Sequence, residues 1–278
     1  MNTRIRNRLQ YIATYFALIV LVVLTIVPLL WMVSTSLKDV TKVLAMPPQF
    51  IPDPVRFSNY VEAFTSAPFY LYFWNSTKIT LSVMVGVVFI SSLGGYAFAR
   101  FQFPLQGVFF IILLSGMMIP QAMMLVPLYN MFSALGWVNK HSALIYPAIL
   151  ANTFTTFLFR QFFKSIPFEL DESAIIDGCS PFAIYSRILM PLAKPAIATA
   201  CVFAFMGNWN AFIRPLIFLH SDKKFTVTLG ISSFQGQFNT DYQLTMAVAT
   251  MALIPIITVY LAAQKYFISG FVTSGLKS

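Results

Sequence analysis

The 278-residue sequence predicts an all-α, polytopic membrane protein with six transmembrane helices. Three observations carry that expectation: 58% of the residues are hydrophobic, only 10% are charged, and the charges fall between long uncharged runs. A soluble domain keeps roughly a quarter of its residues charged. The uncharged runs cover 9–37, 79–99, 101–139, 142–159, 195–213 and 242–264. A helix crossing the hydrocarbon core needs about 20 apolar residues at about 1.5 Å each.

The elements follow in order as a single permeating domain, 1–278, with spans at about 12–36, 70–98, 107–130, 142–160, 192–218 and 243–265. The first run is longer than the ~7–15-residue apolar stretch of a signal peptide and no small-x-small cleavage site follows it, so it reads as a retained helix. With alternating sides, Arg4, Arg6, Arg8, Arg100, Arg160, Lys164, Arg187, Lys194, Lys265 and Lys277 share one face. Lys38, Lys42, Arg56, Lys140, Lys223 and Lys224 share the other. The excess places both termini in the cytoplasm, in a multi-pass cell-membrane protein. The net charge of +9 is then explained by anionic lipid headgroups, without nucleic acid.

Between the first two spans, Met46-Pro47-Pro48 and Pro52-Asp53-Pro54 forbid a continuous helix. That loop is either solvated or long enough to touch an external partner. Residues 219–242 contain a β-like run, Phe225–Leu229, and then Gln235, Gly236 and Gln237. Internal prolines at 28, 120, 127, 147 and 255 favour kinks.

The connection over about 161–191 is the informative one. Glu169, Asp171, Glu172 and Asp177 are four of the nine acidic residues in the chain. Pro167 suits a first helical position and the acids complement a helix N-terminus. Ala174, Ile175 and Ile176 read as an apolar patch. Gly178 can take the left-handed conformation that stops a helix, and Ser180-Pro181 reads as the cap and first residue of a second. A helix-turn-helix shaped to fit a groove on a soluble partner is expected, with Pro191 interrupting its second helix before the next span. A plain interfacial hairpin is the alternative.

Glu172-Ser173-Ala174, three residues, Gly178, nine residues, then Ile188 and Pro191 resembles the EAA loop of ABC-importer permeases. Ser173, Cys179 and Met190 depart from that pattern by small or volume-preserving changes. Tyr96-Ala97-Phe98-Ala99-Arg100-Phe101, Ile119-Pro120, Pro127-Leu128-Tyr129, Trp209-Asn210 and the ending Gly270–Ser278 extend the resemblance along nearly the whole chain. They point to the carbohydrate, maltose-type branch and to its second permease subunit.

The resemblance implies the type I ABC importer permease fold in a prokaryotic membrane, and import of a sugar, an oligosaccharide or a related carbohydrate. A non-sugar solute or a secondary transporter are the alternatives. Expected partners are a second homologous permease, two ATPase subunits and an extracytoplasmic sugar-binding protein. ATP and magnesium would belong to the ATPases, with no cofactor in this chain. Glu169, Asp171, Glu172, Ser173, Ala174, Asp177, Gly178, Ile188 and Pro191 would couple to the ATPase. The tail, Gly275, Leu276, Lys277 and Ser278, would reach the ATPase interface, and Gln235, Gly236 and Gln237 the binding protein.

Lys78 and Arg214, near the outer ends of their spans, read as snorkelling to the headgroups. Asn208 and Asn210 are candidates for the translocation path, with structural hydrogen bonding between helices as the blander role. His141 and His220 have no metal-ligand spacing around them, and Cys179 and Cys201 read as small apolar residues. There is no phosphate-binding Gly-rich loop, no His-Glu-x-x-His and no Gly-x-Ser-x-Gly, so no enzymatic activity is expected of this chain. A secondary transporter is expected to bury a carboxylate in a span, and none of Asp39, Asp53, Glu62, Asp222 or Asp241 lies deep in one.

Overall fold

The structure is a computed structural model that describes residues 3–234 and 240–275. In chain order the helices are α1 (Thr3–Ser36), α2 (Ser58–Thr65), α3 (Phe69–Arg100), α4 (Gln106–Ser115), α5 (Leu125–Ala134), α6 (Ser142–Leu150) and α7 (Thr153–Ser165). They continue as α8 (Glu169–Ile176), α9 (Pro181–Leu192), α10 (Lys194–Trp209), α11 (Ile213–Phe218), α12 (Val227–Ile231) and α13 (Tyr242–Gly275). No β-strand occurs among the described residues.

Four stretches are long and apolar enough to cross a membrane: Gln10–Ser36, Phe69–Arg100, Ser142–Ser165 and Tyr242–Tyr266. The bent pair α9–α10 makes a fifth if counted as one span. The expected span over 107–130 is not one helix. Gly116 follows α4, and a short 3₁₀ turn, Gln121–Met124, separates α4 from α5. Pro120 lacks a donor and turns Ile119 away from helical geometry, so an uncharged run sufficient for a span is here broken in its middle. The expected fifth span, 192–218, is divided as well, at Asn210, where α10 ends before α11 begins.

The chain divides into two compact units. Met1–Pro68 and Ile231–Leu253 form one, Phe69–Gly230 and Ile254–Ser278 the other. In the first, the side chains of α1 from Tyr11 to Leu30 are exposed, as suits a helix solvated by lipid. Its C-terminal end is pinned to α2: the Asn59 amide donates to the Ser36 and Lys38 carbonyls (2.9 and 2.8 Å), and Ser36 Oγ and Tyr60 OH are 2.7 Å apart. The proline-rich loop is held by an Arg56–Asp39 ion pair of 2.5 Å.

The second unit is built around α3, which packs against α6, α7 and α10. Gly95 makes this possible on α3. A Cβ there would lie 2.6 Å from Phe159 Cβ and 2.8 Å from the Arg160 nitrogen on α7. Close approach of this kind is how membrane helices associate when water supplies no hydrophobic drive between them.

The run 225–229, read from sequence as β-like, is largely helical, with α12 starting at Val227. Its β-branched residues are overruled by tertiary context. Val227 is fully buried, and its N–H donates to Ser76 Oγ (2.9 Å). The Asn75 amide donates to the Lys223 and Phe225 carbonyls, both at 3.0 Å. The polar residues near the start of α3 therefore dock a loop.

Candidate functional site

The connection between α7 and α10 forms the helical hairpin α8–α9. Helix α8 begins at Glu169, two residues later than the expected start at Pro167; the Phe168 carbonyl accepts from the Asp171 and Glu172 N–H groups (2.9 and 3.1 Å). Its acids sit in the first turn, where unpaired N–H groups favour negative charge.

The corner is a Schellman stop. Gly178 has φ +78°, its N–H donates to the Ile175 carbonyl (3.0 Å), and the Cys179 N–H donates to the Ala174 carbonyl (2.9 Å). Ser180 then caps α9, its Oγ accepting from the Ala183 N–H at 3.3 Å, with Pro181 in the first position.

Pro191 does not break α9; it lies within the helix. The turn before it, Tyr185–Leu189, widens into a π-helical turn. Proline cannot donate to the carbonyl four residues back and its ring crowds it, and the widened turn relieves both. The sharp change of direction comes at Ala193, where α9 and α10 meet at 79°.

Burial sorts the expected coupling residues into two sets. Glu169, Glu172, Ser173, Asp177, Gly178 and Pro191 are exposed. Ile175 and Ile176 are exposed as well, Ile176 at 85%. Asp171 (4% exposed) and Ala174 (5%) face inward, three residues apart on one side of α8, so Ala174 is no part of the outer apolar patch. Ile188 packs, half-buried, against the core beside the fully buried Leu189.

That core joins Tyr96 of α3, Phe159 and Phe163 of α7, Ala174 of α8, Ile184 and Tyr185 of α9, and Ala196 and Ala200 of α10. Two hydrogen bonds tie α3 to α9: Tyr96 OH donates to the Pro181 carbonyl (2.9 Å), and Ser92 Oγ lies 2.7 Å from Tyr185 OH.

At the end of α3, Arg100 meets Asp171, with Nη2 to Oδ2 at 3.0 Å and both side chains at 7% exposure or less. The same nitrogen donates to the Ile166 carbonyl (3.0 Å), and the guanidinium lies 5.5 Å from the centre of the Phe168 ring. Burial pushes the Asp171 carboxyl above the usual aspartate range, against the pull of Arg100. From the sequence, Arg100 serves to orient the chain and Asp171 is expected among the coupling acids. Nothing in the sequence signals their pairing: which side of α8 turns inward, and so brings Asp171 to Arg100, is set by the packing of the hairpin.

The other candidates scatter. The Asn208 amide donates to the Ala204 carbonyl of its own helix (2.7 Å), and Asn210 is exposed at the end of α10. Arg214 donates to Gln121 Oε1 (2.9 Å). Gln235, Gly236 and Gln237 lie outside the described residues, as do Leu276, Lys277 and Ser278; Gly275 is the last residue of α13. No group of three or more His, Cys, Asp or Glu side chains able to hold a metal occurs among the described residues.

Residues 86–272, which include the hairpin, match the family described as "Binding-protein-dependent transport system inner membrane component". The chain belongs to that family. It is 32% identical over 257 residues to the arabinooligosaccharides transport system permease protein AraQ of Halalkalibacterium halodurans, covering 91% of this chain and 92% of the relative. It is 33% identical over 274 residues to the lactose transport system permease protein LacG of Rhizobium radiobacter, covering 99% of each. In fold it is similar to a chain of a bacterial ABC transporter involved in the import of the acidic polysaccharide alginate. That match has a TM-score of 0.84 and 22% identity, and covers 94% of this chain and 98% of the other. The fold is that of a type I ABC importer permease, and family members are transport components rather than ATPases.

Proposed function

We propose that this chain is one of two homologous permease subunits of an ATP-driven importer that carries an oligosaccharide or related carbohydrate into the cell. The observation that carries the mechanism is the two-sided hairpin α8–α9. Its outer side presents Glu172, Ile175, Ile176 and Asp177, an apolar ridge flanked by carboxylates, to a soluble partner. Its inner side is fastened to α3, α7 and α10 by the aromatic core and the Arg100–Asp171 pair.

In this reading, two ATPases that hold ATP and magnesium close on binding nucleotide and draw the hairpins together. Because the hairpin is anchored at several points, the pull reaches α3 and α10 as a rigid displacement and switches the path from inward-facing to outward-facing. A sugar-binding protein delivers the cargo from outside. The excess of basic residues on the hairpin's side supports a cytoplasmic hairpin and cytoplasmic termini, and in this reading the cell is prokaryotic. The sugar names of the similar permeases support the cargo class.

The test is co-purification. The chain, tagged at its N-terminus and gently solubilised from native membranes, should bring a second permease and an ATPase, and Glu172→Lys should lose the ATPase. A chain that supports uptake with no ATPase present would overturn the proposal.

A further inference from the structure

We propose that the second unit carries an oxyanion-binding site where α3, the start of α6 and the loop before α12 converge, taking a phosphate, sulfonate or carboxylate group. A cavity of about 550 Å³ there is lined by Lys78, Lys140, His141, Ser142, Tyr146 and Lys224, and none of its lining residues is acidic. Three ammonium groups with no carboxylate among them give the cavity a positive potential that favours an anion.

The cationic arrangement is built into the fold. Asn139, in the left-handed conformation at φ +58°, accepts through Oδ1 from the His220 and Ser221 N–H groups (3.1 and 3.0 Å). Its carbonyl accepts from Lys224 Nζ (2.6 Å). The Lys224 carbonyl in turn accepts from His141 Nε2 (3.0 Å). Lys224 is thus fixed at the cavity with ammonium protons to spare, since one hydrogen bond uses one of its three donors.

One further donor belongs to the same lining. Ser142 Oγ is buried and has no hydrogen-bond partner. Ser142 also opens α6, whose Ala143 and Leu144 N–H groups already donate to the Lys140 and His141 carbonyls (3.2 and 3.0 Å), so the lysines and Ser142, rather than the helix start, supply the site. Lys78 and Lys140 are exposed, and no hydrogen bond or ion pair engages either amine among the described residues.

Lipid phosphate and a soluble anion share this chemistry. In the topology proposed above, on which the outward placement rests, the site faces the outer headgroup level. Tyr146 and Trp137, their rings 5.2 Å apart, fit the aromatic belt found there. The positive-inside bias does not explain basic residues on this side.

The experiment uses the full chain, with the subunits that co-purify, in a maltoside micelle free of lipid phosphate. Its thermal midpoint is followed against inorganic phosphate, and against chloride at matched ionic strength. A saturable rise specific to phosphate is expected. Lys78→Gln with Lys140→Gln should raise the half-saturating concentration about 25-fold, at about fivefold per lysine, and arginine at both positions should restore binding. If added phosphatidylglycerol, but not phosphatidylcholine, raises the midpoint and abolishes the phosphate response, the anion is a lipid headgroup. If the phosphate response survives phosphatidylglycerol, it is a soluble anion. No response to phosphate beyond chloride and none to phosphatidylglycerol, or responses unchanged in the double glutamine variant, would overturn the site. Binding is read without ATP or transport, so this result stands apart from the fate of the import reading.

Discussion

Replacing Asp171 by asparagine keeps the shape of the side chain and removes its charge, leaving Arg100 buried beside a neutral partner. Removing one member of a buried ion pair costs about 3–5 kcal/mol. The Ile166 carbonyl and the Phe168 ring still hold the guanidinium, which argues for the lower end, about 3 kcal/mol. That corresponds to roughly a hundredfold loss in the population of anchored hairpin. The assay is the thermal midpoint of the purified complex together with uptake. Asp171→Asn should lower both, and Arg100→Met with Asp171→Leu should recover most of the midpoint, because apolar groups of similar volume replace a buried pair at little cost. If Asp171→Asn leaves the midpoint unchanged, or the double variant is as unstable as the single one, the anchor reasoning fails.

The outer side of α8 should behave in the opposite way. Ile176→Asp, at a position 85% exposed, should leave the midpoint of the chain unchanged yet abolish ATPase co-purification; equal loss of both would place Ile176 in the fold rather than the interface. At the corner, a Cβ on Gly178 meets nothing within 4 Å, so the cost there is backbone strain alone, about 1–2 kcal/mol. Gly178→Val should therefore impair uptake more than Gly178→Asn, since asparagine tolerates left-handed geometry, and equal effects would argue against a conformational role. Finally, burial, with Lys78 and Lys224 nearby, holds His141 below the usual histidine pKa. The unfolded chain then takes up a proton that the folded chain refuses. Stability should fall as pH drops from about 6.5 toward the folded value, and His141→Gln should flatten that part of the midpoint-versus-pH curve.

Much of the hairpin was legible from local chemistry. Gly178 beyond a short acidic helix and Ser180-Pro181 after it specify a stop and a start whose hydrogen bonds close within a few residues, and the structure has both. Pro120 predicts a kink but not the division of the 107–130 run into two short helices. Apolar composition records the solvent that a segment prefers and says little about whether its backbone stays helical throughout. The Phe225–Leu229 run misled for a related reason: β-branched residues bias a backbone weakly, and burial of Val227 against α3 outweighs the bias.

By itself the sequence determined the solvent and the corner of the hairpin: uncharged runs that only a bilayer accommodates and a Gly178 stop. Those properties depend on composition and on neighbours a few residues away. Only the tertiary structure decided which side of α8 faces inward, that Arg100 is the counter-ion of Asp171, and that Lys78, Lys140 and Lys224 surround one cavity. Each of these joins residues far apart in the chain, and their meeting is set by helix packing, such as the close approach that Gly95 permits between α3 and α7.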